Sequence, residues 1–311
     1  MSVAAAVAVV VALRNRRKSA PPTEVSVAVP TAEVRVKAVE RKIETVAEGE
    51  AVVASDAVAI VCGADSATAD RYEARNDALR SIARRRDLAE EDVAALVAYL
   101  RAQDDNMRSE RVAALKNDVM NLLRSQNPPV EGLADELIGM FYGGNHPSAV
   151  LDYCIQHLGA MQDELNDAMR GRVRKMFVEA ARRTSQSYAG TALYSLAEDK
   201  LATAAQEGEL KRLTLALCKP GVNNVARIAA VQLAGQRGYA EALPTLRETL
   251  SGDRRDAAID IVCIGSIGLL GNEDDIALIE RFRGDARRSA AVEAAIKRIR
   301  EREEAGVFRQ D

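Results

Sequence analysis

No tryptophan occurs anywhere in this chain, and its 311 residues include only four Phe and seven Tyr. Proteins that capture flipped bases or single-stranded nucleic acid stack them on such rings, so that class starts with little material. Histidine is scarcer still, at two, which leaves little for metal ligation or general-base work. The four cysteines stand at 62, 154, 218 and 263, in different segments and without a CxxC spacing. They read as free thiols in a reducing compartment, not as a disulfide or zinc framework. A strong excess of one charge is missing too. With a net charge of −3 and a pI near 5.7, the chain has no positive field to draw nucleic acid as a partner. Phosphate-binding loops are also missing, since Gly143-Gly144 and the glycines at 265–271 fit turns better.

The start of the chain lacks charge, but over a short distance. SVAAAVAVVVAL (2–13) is followed at once by Arg14-Asn15-Arg16-Arg17-Lys18. As a helix this stretch would span about 18 Å, against roughly 30 Å of bilayer hydrocarbon. The charge comes after the apolar run, the reverse of a secretory signal, and the positive-inside rule would put everything beyond Arg14 on the cytoplasmic side. Residues 1–18 are therefore a candidate membrane tether. From 19 to 70 the text turns to Pro, Ala, Val, Glu and Ser. Alternation at Val25, Val27 and Val29 finds no partner strands, so a flexible low-complexity linker is expected, with a helix near 38–48.

What the chain does have is aliphatic residues in helical rhythm. Apolar residues make up 48% and charged residues 29%, enough for a core and too apolar for wholesale disorder. In AEEDVAALVAYL, Val93, Leu96, Val97 and Leu100 form one stripe, with Asp87 as the expected N-cap. In NEDDIALIERFRGD, Asn272 should cap and Ile276, Ile279 and Phe282 should face inward. The basic runs Arg84-Arg85-Arg86 and Arg170 to Lys175 read as solvated helix faces.

The phrase RRDAAID at 254–260 returns as RRSAAVE at 287–293, a step of 33 residues. In that register Gly235 meets Gly268, Gly238 meets Gly271, and Leu246 meets Ile279. Ala226, Ile259 and Val292 share another column. Each unit reads as a helix, a glycine turn and a second helix, which cannot bury its apolar face alone; stacking makes the core continuous. A 33-residue step also fits ankyrin repeats, but their TPLHxA pattern is absent, as is the Trp-Leu-Gly-Tyr pattern of TPR.

VARIAAVQLAGQRGYAEALPTLRETL, with Arg227, Ala229, Ala230, Gly235, Gly238, Ala242, Leu243 and Pro244, resembles a short HEAT repeat of the phycobilisome-lyase type. The likeness is clear over 222–303 and weaker upstream, where SAVLDYCIQHLGAM (148–161) looks like another copy. It implies a right-handed α-α superhelix over 71–303, of about six or seven hairpins, followed by a charged tail at 304–311. It also implies that the second helix of each hairpin lines the concave surface. That places Arg227, Asp260 and Glu293 in one column and Arg255 and Arg288 in another, a candidate partner-binding face whose members can equally pair with neighbours and hold the register. Cys154 and His157, three apart with Asp152 nearby, need further groups to ligate metal or to act as a nucleophile pair, and read as structural. The His-Glu dipeptides of metal-binding HEAT-repeat hydroxylases are absent. The expectation is a non-enzymatic scaffold for a protein partner, without catalytic, metal or cofactor residues. The alternative is a lyase-type enzyme or subunit holding a small molecule, such as a bilin, in the groove.

Overall fold

Ala and Leu favour helices, and here they recur at helical spacing. The computed structural model describes residues 54–64, 67–143, 145–253 and 256–306. Within them lie fourteen α-helices and no strand. The protein is all-α over the described residues. The tether at 1–18, most of the linker, the end of the tail and Arg255 lie outside them. Among the described residues no helix is long and apolar enough to cross a membrane.

In chain order the helices are α1 (Ala54–Val61), α2 (Tyr72–Ile82), α3 (Glu90–Arg101), α4 (Ser109–Arg124), α5 (Leu133–Gly143), α6 (Ser148–Met161) and α7 (Asp167–Arg182). Then follow α8 (Tyr188–Ala197), α9 (Ala204–Leu217), α10 (Asn224–Arg237), α11 (Leu243–Ser251), α12 (Ala257–Leu270), α13 (Ile276–Glu280) and α14 (Ser289–Glu304). Each odd-numbered helix packs on the even-numbered helix after it, so the fourteen form seven hairpins. Each even-numbered helix also packs on the next, from α2 to α14 without a break. The odd-numbered helices form a second row beside them, with α13, only five residues long, at its end. One apolar core runs between the rows, from Ala57 and Val58 to Ile296 and Ile299.

The first helix is a correction. Residues 54–61 were expected in the linker, yet Ala57, Val58 and Val61 are buried against the next hairpin. Two glycines also differ from expectation. Gly235 and Gly268 do not mark turns; they lie inside α10 and α12. A Cβ on Gly268 would stand 2.7 Å from the Cα and the Cβ of Ala295 on α14, and one on Gly235 would stand 2.8 Å from the Ser266 hydroxyl on α12. Gly190 on α8 approaches Ala226 and Ala229 of α10 in the same way. These columns are small because neighbouring helices touch there. The turn role belongs to Gly238, which ends α10 in the left-handed region at φ +71°.

Helix starts follow side-chain chemistry at several places. Thr203 and Gln206 form a reciprocal capping box on α9, and Asn166, Asn223 and Asp256 accept backbone N–H bonds at the starts of α7, α10 and α12. Asp87 does not cap α3, whose N-cap is Ala89. The 83–88 loop is held elsewhere: Gln126 accepts from Leu88 N and donates to the Arg85 carbonyl, while Arg86 donates to the Ser125 carbonyl. That also removes Arg84-Arg85-Arg86 from a helix face, since α2 ends at Ile82. Asn272 is the N-cap of the short 3-10 turn that leads into α13, and its N–H donates to the Asp275 carboxylate at 3.1 Å.

Candidate functional site

The residues expected on a partner-binding face separate by burial. Arg227 is 9% exposed and points between the rows. Its Nε donates to the Cys218 carbonyl at 2.9 Å, and its guanidinium also reaches the Thr249 hydroxyl. Asp260 is 1% exposed and accepts from Arg288 Nε at 3.0 Å, with a second guanidinium nitrogen at 2.8 Å. Arg288 also binds Asp285. Glu293 is exposed and pairs with Arg283 at 3.3 Å. The column of Arg227, Asp260 and Glu293 is therefore not a ladder on one accessible face. Two members hold the interior together: Arg227 reaches the odd row at Cys218 and Thr249, and Asp260 binds Arg288 at the start of α14. Arg255 lies outside the described residues.

The same interior role recurs upstream, where the sequence did not signal it. Arg75 on α2 donates to the Val61 carbonyl at the end of α1, and Lys116 on α4 donates to the Leu100 and Ala102 carbonyls at the end of α3. In three hairpins, then, a basic residue of the even helix satisfies the carbonyls that end the odd helix, where the helix dipole also favours a cation. Ion pairs link successive hairpins along the odd row: Arg101–Glu136, Asp135–Arg172, Arg182–Glu209, Lys211–Glu241 and Arg247–Asp275. The exposed pairs among them add little energy each, whereas Asp275 is buried and takes two bonds from Arg247; the positions of all five suit one register only.

Reactive groups are withdrawn from solvent. Cys154, Cys218 and Cys263 are fully buried, and burial pushes each thiol up to about 12. Cys62 is pushed up to about 11, again mainly by burial. His157 is 5% exposed, and burial together with the Arg124 charge pushes its pKa down to about 4, so the ring is neutral at pH 7. Its Nε2 lies 3.2 Å from Asn117 Oδ1 on α4, while Cys154 sits in the core. Asp152 is held in its neutral form more readily than usual by burial, against a hydrogen bond from Gln156. Among the described residues no three of His, Cys, Asp and Glu are grouped to hold a metal ion.

The outward side of the even row changes character along the chain. Between α2 and α4 lies an open groove of about 430 Å³ lined by Asn76, Arg80, Asp118, Asn121 and Arg124, among others. Over α10, α12 and α14 the outward positions instead include Val225, Ile261, Gly265, Leu269 and Ala294, with Gln232 and Gln236 toward the end of α10 and Arg298 at the edge. This second surface was missed by reasoning from charged columns. Its signal lay in AAIDIVCIGSIGLL, whose single charged residue, Asp260, is buried. No protein-family model, curated protein or solved structure matches the chain.

Proposed function

We propose that the chain is a HEAT-like right-handed α-α solenoid that acts as a non-enzymatic scaffold, holding a protein partner against the outward side of its even-numbered helices. The observation that carries this reading is the unbroken packing of even helices from α2 to α14, closest where Gly190, Gly235 and Gly268 thin the seams. A stack whose one row is spaced more tightly than the other must curve toward the tight row. That row then becomes the concave side, and its outward residues face a common space. The withdrawn thiols and the neutral, buried His157 favour a scaffold over the lyase-type alternative, and neither Cys nor His lines the α2–α4 groove. The composition of residues 1–18 supports a membrane tether as a sequence-based addition to the same proposal.

The test is capture of a cross-linked partner from intact cells by the full chain and by two sets of variants. Substitutions on the outward even row (Arg80→Glu with Arg124→Glu, or Leu269→Gln) should reduce capture while leaving the melting curve unchanged. Lys175→Glu, an exposed site on odd-row α7, should leave capture intact. The reverse result would place the partner on the odd row, and small-angle scattering that shows no curved array would end the solenoid reading.

A further inference from the structure

Apart from the buried Asp260 and Ser266, helix α12 is apolar on every side. Its inward face needs that character because Ile259, Cys263, Ile264 and Ile267 are core residues. The outward face has no such need. There Ala258, Ile261, Val262 and Gly265 recur at helical spacing, all half-buried, and Leu269 is 41% exposed. A helix at a protein surface ordinarily turns polar residues to water. A single exposed aliphatic residue calls for no explanation, but a contiguous set does. This set is contiguous: Val225 on α10 is 42% exposed, Ala229 follows one turn later, and Ala291 and Ala294 continue it on α14. The glycine seams make the surface continuous, since Leu269 lies over Gly235 and Ala295 lies against Gly268.

On α14 the charge nearest the apolar residues of α12 is Arg298. Arg298 is exposed, and no acidic side chain pairs with it among the described residues. One turn on, Arg302 donates to the Gly268 and Gly271 carbonyls at the end of α12, both at 2.6 Å. Burial, together with repulsion from Arg298, lowers the Arg302 pKa, while Glu303 opposes the shift. An apolar surface thus has the exposed cation Arg298 at its edge.

We propose that this face, over α10, α12 and α14, docks an acidic amphipathic helix of a protein partner. Its apolar stripe would lie on Val225, Ile261, Gly265 and Leu269, and an Asp or Glu would sit against Arg298. This rests on the scaffold reading and adds the partner's chemistry and its seat. Other modes of peptide capture fit less well. Strand addition needs a free sheet edge, and the backbone here is spent within helices; polyproline capture needs an aromatic-lined groove, and no ring lines this face. The helix mode needs anchors at i, i+3, i+4 and i+7, which a stripe running the length of α12 can receive. The chain's own uncharged stretch at 2–13 has the wrong flank, since Arg14 to Lys18 would face Arg298.

Selection of random peptides displayed on phage, against the full chain, tests the seat without knowledge of the natural partner. Enriched sequences should carry apolar residues at helical spacing and a net negative charge. An enriched peptide, labelled and measured by fluorescence anisotropy, should lose about tenfold in affinity against Arg298→Glu, as expected when a docking charge is reversed. It should also lose affinity against Leu269→Gln and Val225→Gln, both exposed positions where the fold has little at stake. Enrichment of basic or non-periodic peptides, no enrichment at all, or binding indifferent to all three substitutions would overturn the proposal. So would a face that fails with peptides but binds vesicles of phosphatidylserine and phosphatidylcholine in a manner lost on Leu269→Gln, which would assign it to a lipid surface. Partner capture abolished by Arg80→Glu with Arg124→Glu, and untouched by Leu269→Gln, would reject this seat while leaving the scaffold reading in place.

Discussion

The first hairpins and the last are stacked by different means. Between α1 and α4 the interior holds long charged side chains. Arg75 is fully buried, pairs with Asp104 at 2.7 Å, donates to the Val61 and Ala69 carbonyls, and lies over the Tyr99 ring at 5.1 Å. Lys116 sits 5.5 Å from the same ring. Between α10 and α14 buried charge is present too, in Arg227 and in the Asp260–Arg288 pair, but there successive even-numbered helices touch through glycine and alanine. A small-residue seam tolerates one geometry, because any added atom meets backbone. A long side chain can reach its acceptor from several positions along a helix, so it fills a seam without fixing where in the sequence it must stand.

The sharpest way to break this contrast is to remove a charge from the first seam. Asp104→Ala would leave the Arg75 guanidinium buried and short of its counter-ion. Losing one partner of a buried pair costs about 3–5 kcal/mol. Because each hairpin touches only its neighbours, that loss should appear locally. Amide hydrogen exchange should accelerate in α1 to α4 and stay unchanged in α10 to α14. Uniform acceleration would show that the array unfolds as one unit and that the contrast has no energetic meaning.

The mirror experiment acts on the other half. Leu246, fully buried on α11, should cost about 2–5 kcal/mol when cut to Ala, with exchange rising in α10 to α14. Gly268→Val should add strain at the Ala295 contact, of about 1–3 kcal/mol for an overpacked site. A Leu246→Ala protein with wild-type denaturation would mean that the 33-residue register places that column wrongly.

The same contrast explains what could be read from the sequence. The register was legible over α10 to α14 because Gly235 and Gly268, or Leu246 and Ile279, must repeat for the helices to touch. It faded upstream, where Arg75 and Lys116 perform one task from the fourth and the eighth positions of their helices. Helix α1 was hidden for a different reason: its buried Ala57, Val58 and Val61 have the composition of the Val- and Ala-rich text before them. The charged columns misled as a face because a shared sequence column fixes the helix side only roughly. Arg227 and Asp260 sit on the inward side, and Glu293, on the last of the described helices, turns to solvent although its neighbour Val292 keeps the register and is buried.

Proton linkage gives a smaller effect confined to a pH window. Burial, opposed by Asp104, lowers the Lys116 pKa from 10.5 to about 8. Between those values the unfolded chain binds a proton at this residue and the folded one does not, so stability rises with pH across that window. Cys62 and Cys154 act oppositely above pH 9, since their folded pKa values are raised. The difference in melting temperature between wild type and Lys116→Met isolates the lysine. It should shift in favour of wild type from pH 8 upward, and a flat difference would mean that Lys116 reaches water in solution.

The smallest effect belongs to the column that first suggested a binding face. Glu293 and Arg283 are 62% and 49% exposed and stand 3.3 Å apart. In water such a pair gains little Coulomb energy and loses side-chain freedom, so Glu293→Ala should change stability by about 0–1 kcal/mol, less in high salt. Asp260 occupies the same column one step earlier, but it is buried against Arg288, and its removal belongs with Asp104→Ala. Equal costs at the two positions, measured by urea denaturation at low and high salt, would show that the register governs stability here. Unequal costs, with only the Glu293 effect fading in salt, would show that the side of the helix governs it. The second result is expected, because 33 residues is a packing step between hairpins, and Glu293 sits on α14, where no later described helix covers that position.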